Sequence, residues 1–191
     1  MSTASAATVS SPPVVIMLPC AAGFPKQELA DELQHRGFPV LAVFVGRPGT
    51  FGSEKIAATW DSLETTAAEL IDREVKQGRR VILQGWSRGG YAALKVATLK
   101  SSELAGVAVF AAAGSPDGLE RIRCPTLLFH NQEDRMVPFN VSEENQQRIA
   151  RSTLLKSDAV GGNNHQCNEF VLSCVDWVQH ISSTGATPSD V

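Results

Sequence analysis

The chain has 191 residues, 43% of them hydrophobic and 19% charged, a length that suits one domain with a sizeable core. Its net charge of -3 comes from 17 basic and 20 acidic residues without blocks of one sign, which argues against nucleic acid or an anionic membrane as a partner. The four cysteines, Cys20, Cys124, Cys167 and Cys174, lack both metal-site CxxC spacing and the density of a secreted disulfide scaffold, so free thiols in a cytoplasmic setting are expected.

In chain order, residues 1–11 are nearly all small and polar and are expected to form a disordered tail, followed by one domain over 12–182 and a second tail over 183–191. No Lys or Arg precedes Lys26, and the first apolar stretch, 14–18, is too short for a signal sequence or a membrane span. Six strands are predicted, at 14–18, 40–45, 81–84, 107–112, 126–130 and 153–157. Most are continuous apolar runs, the pattern of parallel strands covered on both faces. Helices are predicted over 25–36, ending at Gly37, over 91–100 and over 139–151. Helical stripes run through Ile56, Trp60, Leu63, Ala67, Leu70 and Ile71, and through Phe170, Cys174, Trp177, Val178 and Ile181. This alternation predicts a doubly wound α/β/α sandwich of three layers with about six mainly parallel strands.

The chemistry centres on Gly85-Trp86-Ser87-Arg88-Gly89-Gly90, between the strand 81–84 and the helix 91–100. A tight strand-to-helix turn strains the serine backbone and lifts its oxygen above the sheet, and it tolerates only tiny neighbours. The helix behind Ser87 would aim its unpaired N–H groups, that of Arg88 first, at an anion forming there. A bare GxSxG fits a glycine-rich turn as well as a nucleophile, and the strand and helix around it give it weight.

With that context the sequence, over roughly 14–181, resembles the α/β-hydrolase superfamily and is similar to its small lidless members, such as dienelactone-hydrolase-like esterases and acyl-protein thioesterases. The resemblance implies partners in the order serine, acid, histidine, the acid after a later strand and the histidine after the last. Asp134 fits the acid, in the segment Leu128-Phe129-His130-Asn131-Gln132-Glu133-Asp134-Arg135-Met136-Val137-Pro138, with Glu133 and Asp117 as rivals. His165 alone fits the histidine, because His35 precedes the serine, His130 ends a strand and His180 sits in the final helix. The family's second oxyanion donor maps to Ala21, although Pro19-Cys20 stands where many members have His-Gly. Cys20 reads more readily as a buried loop cysteine than as a catalytic thiol.

These assignments imply an enzyme that hydrolyses a small ester or thioester through an acyl-serine, with no cofactor and no metal. Too few residues lie between the fourth and fifth predicted strands for a lid, so the site should be open. Arg47, Arg88 and Arg135 are expected in loops at the carboxyl edge of the sheet, where a substrate carboxylate would find partners. Trp86 is a candidate wall or floor of the site. The expected partner is a small molecule, with the protein a monomer or homodimer. The rivals are other chemistry on the same triad, as in a lyase, cyclase or acyltransferase, and a binding protein on a hydrolase scaffold.

Overall fold

The computed structural model describes residues 11–46, 52, 54–158 and 169–184. The apolar runs form strands because both faces of each are covered. In chain order the elements are β1 (Val14–Leu18), α1 (Gln27–His35), β2 (Val40–Val45), β3 (Glu54–Ala58), α2 (Leu63–Lys76), β4 (Val81–Trp86), α3 (Arg88–Lys100), β5 (Leu104–Phe110), β6 (Thr126–Asn131), α4 (Asn140–Arg148), β7 (Ser152–Ser157) and α5 (Glu169–Thr184). The strands make one sheet in the order β3-β2-β1-β4-β5-β6-β7, and every neighbouring pair is parallel.

The sheet thus has seven strands, not six. The additional one, β3, has the sequence EKIAA and is largely exposed at the sheet edge, so it lacks the continuous apolar run of a doubly covered strand. Ile56, expected on a helical stripe, lies in β3, and α2 begins only at Leu63. Trp60 sits between them in a turn closed reciprocally: Thr59 N–H donates to Ser62 Oγ (2.9 Å) and Ser62 N–H to Thr59 Oγ1 (3.1 Å).

Alternate strand residues feed two cores. On one face Val14, Ile16 and Leu18 pack with Leu63, Ala67, Leu70 and Ile71 of α2 and with the small inner face of α3. On the other, Val15, Met17 and Ile82 pack with Leu29 and Leu33 of α1 and with Phe170, Cys174 and Val178 of α5. Phe110 stacks on Phe170 at 4.8 Å and meets Phe129 edge-on at 5.8 Å, which anchors the exits of β5 and β6 to α5.

Cys20, Cys124 and Cys174 are free and buried; Cys167 lies outside the described residues. Burial pushes the thiols of Cys124 and Cys174 up to about 11 and about 12. No helix among the described residues is long and apolar enough to cross a membrane. The connection from β5 to β6 holds only the short turn Leu119–Arg121, so no helical lid is inserted there. Chain direction across the sheet reverses between β1 and β4, and in open parallel sheets that switch point forms a crevice beyond the carboxyl ends of the strands.

Candidate active site

At that crevice the chain passes from β4 to α3 through a single residue. Ser87 takes φ 55° and ψ -115° as the N-cap of α3, and Ser87 and Ala111 (φ 44°) are the two positive-φ residues other than glycine among those described. Both stand at the carboxyl edge, Ala111 just past β5. Neighbouring backbone holds the strained serine: its N–H donates to Phe110 O at 2.9 Å, and its carbonyl accepts from Tyr91 at 3.1 Å and Ala113 at 2.9 Å.

The glycines around it are demanded by close approach. A Cβ on Gly85 would be driven into the Gly89 carbonyl, and one on Gly89 into the Leu18 and Pro19 carbonyls. The second clash places the loop after β1 against the first turn of α3. In that loop Gly23 N–H donates to Cys20 O at 2.8 Å and Cys20 N–H to Phe24 O at 3.1 Å. Among the described residues, Ala21 N–H reaches no backbone carbonyl. The first turn of α3, whose N–H groups have no intrahelical partner, thus packs against the start of the loop that carries Ala21.

A cleft of about 310 Å³ opens beside Ser87. Ala21, Ala22, Phe24, Trp86, Ala113, Met136 and Val137 line it with Ser87 and Cys20, and none of them carries a charge. Trp86, one of these lining residues, is 5% exposed and stacked on Phe110 at 6.1 Å. Phe24 and Met136, at 46% and 72% exposed, form apolar lips that the sequence reading missed. Arg88 is absent from the cleft; its guanidinium lies 4.0 Å from the centroid of the Trp60 ring. A separate groove of about 280 Å³, remote from Ser87, runs between α2 and α3, and its charged Lys95 and Glu64 pair with each other at 2.8 Å.

Asp134 lies in the turn after β6 with its side chain fully buried. Its Oδ1 accepts the N–H groups of Met136 (2.7 Å) and Val137 (3.0 Å), and its Oδ2 lies 3.4 Å from His130 Nε2. Its rivals Glu133 and Asp117 are exposed. His35 and His180 are exposed near the C-terminal ends of α1 and α5, at the opposite edge of the sheet from Ser87. His165 and Arg47 lie outside the described residues. The two ends of the connection that carries His165 are described: β7 stops at Ser157, beside β6, and Ser157 Oγ donates to Glu169 Oε2 at the start of α5.

Comparison with known proteins agrees with this fold. The family model described as "Alpha/beta hydrolase family" matches residues 15–156. An esterase of Exiguobacterium antarcticum, 18% identical, superposes with a TM-score of 0.68 over 88% of this chain and 92% of its own. Est1E of Butyrivibrio proteoclasticus with bound ferulic acid is 13% identical, with a TM-score of 0.68 over 91% and 88%. A monoacylglycerol lipase of Paleococcus ferrophilus is 15% identical, with a TM-score of 0.66 over 90% and 96%. At these identities the likeness is one of fold. No curated protein sequence matches the chain.

If Ser87 stores strain, glycine there should relieve it and alanine should not. Ser87→Gly is expected to be more stable than Ser87→Ala by about 1 kcal/mol, the strain of a left-handed residue less part of the extra entropy of glycine. Urea denaturation of the two variants measures the difference, and an alanine variant at least as stable as the glycine one would show that the turn is relaxed.

Proposed function

The chain belongs to the alpha/beta hydrolase family, and from that footing we propose that it is a serine hydrolase cleaving a small ester or thioester through an acyl-enzyme on Ser87. The observation that carries this reading is the strained Ser87, pinned at a helix N-terminus beside a cleft whose described lining carries no charge. His165 is the base that removes the Ser87 proton as the hydroxyl attacks, and it then protonates the leaving group. Asp134 orients the imidazole and stabilises its charged form. The N–H groups of Ala21 and Arg88 hold the oxyanion, and a water molecule then releases the acyl group.

The apolar cleft suits a short acyl chain, with Trp86 beneath it and Phe24 and Met136 at its mouth. Among the described residues, none that line the cleft offers a negative charge on the substrate a cationic partner. Arg88 offers one outside it, braced on Trp60, and Arg47 is the second cation of this reading. The buried free thiols support a reducing, cytoplasmic setting. The protein acts on a small molecule, as a monomer or homodimer, and needs no cofactor or metal for this chemistry.

Turnover of short-chain p-nitrophenyl esters and acyl thioesters tests the assignment. Ser87→Ala, Asp134→Asn and His165→Ala should each lower kcat by roughly a thousandfold or more. A variant that keeps wild-type kcat removes its residue from the triad. For the anion, Arg88→Ala should lower kcat/KM on an ester with an anionic leaving group about tenfold more than on its neutral match, the scale of one charged hydrogen bond. Equal losses on both esters would contradict that role.

A further inference from the structure

Asp134 has a neighbour that the proposed triad does not use. We propose that His130, held as the neutral Nε2–H tautomer, is a positioning residue that fixes the Asp134 carboxylate for its work on the base; this rests on the reading of Asp134 as the triad acid. His130 is the fifth residue of β6 and is 0% exposed. Its Nε2 lies 3.0 Å from the Val137 carbonyl and 3.4 Å from Asp134 Oδ2, and its Nδ1 lies 2.7 Å from Ser142 Oγ on α4. Phe139 packs edge-on against the ring at 5.5 Å.

A carbonyl can only accept, so Nε2 carries the proton. In a neutral ring Nδ1 is then an acceptor, and the Ser142 hydroxyl donates to it. Val137 joins the two sides of this arrangement, since its carbonyl accepts from His130 while its N–H donates to Asp134 Oδ1. His130 therefore braces from behind the turn whose N–H groups cradle the carboxylate, and the edge of its Nε2–H faces the other oxygen.

The neutral state matters for the reaction. A charged His130 would set a cation against Asp134 that competes with the imidazolium forming during attack. It would also have to donate from Nδ1 to Ser142, turning that hydroxyl proton away from its one hydrogen-bond partner among the described residues. Among the described residues, the charged groups near the ring are Asp134 itself and, across Phe139, Lys156, which lies 5.1 Å from the Phe139 centroid and pairs with Glu143 at 3.5 Å.

The test is steady-state kinetics on p-nitrophenyl acetate with thermal melts of every variant. His130→Leu should lower kcat about 10- to 100-fold, as loss of an outer-shell partner does, with KM within about twofold of wild type. His130→Gln keeps an N–H donor near the Nε2 position and should recover most of the loss, and Ser142→Ala should fall between. Nitrogen-15 spectra of the wild-type imidazoles should show His130 as the Nε2–H tautomer, a result that stands even if the leucine variant does not fold. An Nδ1–H or charged ring at neutral pH overturns the proposal, as does a glutamine variant no better than a folded leucine one. An inactive Asp134→Asn beside an unimpaired His130→Leu sinks the positioning role alone, whereas a fully active Asp134→Asn sinks the acid assignment and His130 with it.

Discussion

Ser87 must turn the chain from a buried strand into a helix within one residue, at a φ that costs a side-chain-bearing residue about 1–3 kcal/mol. That cost is met by fixed surroundings. The serine N–H is held by the last residue of β5, and its carbonyl by α3 and by Ala113. The helix can fold back over the end of β4 only because Gly85 has no side chain, and can start so close to the end of β1 only because Gly89 has none. Remove any of these and the hydroxyl loses its place at the switch point, where the amides of α3 and the loop after β1 meet.

The two cores make that edge rigid. Phe110, whose carbonyl holds Ser87, is itself clamped between Trp86, Phe129 and Phe170, so α5 supports the nucleophile through β5. Phe129 precedes His130, and His130 and Val137 brace the Asp134 turn. One aromatic cluster thus supports both the serine and the carboxylate from below. On the other face Trp60 takes up the Arg88 side chain and leaves that residue's backbone at the helix start.

Most of the architecture was legible because buried parallel strands write themselves as apolar runs: 14–18 and 40–45 match β1 and β2 end to end. β3 was not legible, because an exposed edge strand with the sequence EKIAA needs no such run, and Ile56 and Trp60 also fit a helical spacing. The serine turn was readable from glycines whose necessity is steric. Asp134 stood out from Glu133 and Asp117 by the family's pattern of a strand, then Asp, two further residues and Val-Pro, and its burial distinguishes it physically. The fates of side chains were less readable. Arg88 was expected at the carboxyl edge beside the serine as an anion contact, and nothing in the sequence signalled that its guanidinium lies on Trp60, outside the cleft. His130 read as the end of a strand; its one signal was a polar residue closing an apolar run four positions before Asp134.

The claim on which everything else depends is that the Ser87 hydroxyl is an activated nucleophile. Incubation of the folded protein with a fluorophosphonate, followed by intact-mass measurement and peptide mapping, examines it without knowledge of the natural substrate. One phosphonyl adduct per chain is expected, mapped to Ser87 and lost in Ser87→Ala. Folded wild-type protein that takes up no adduct, or takes it up at another residue, would contradict it.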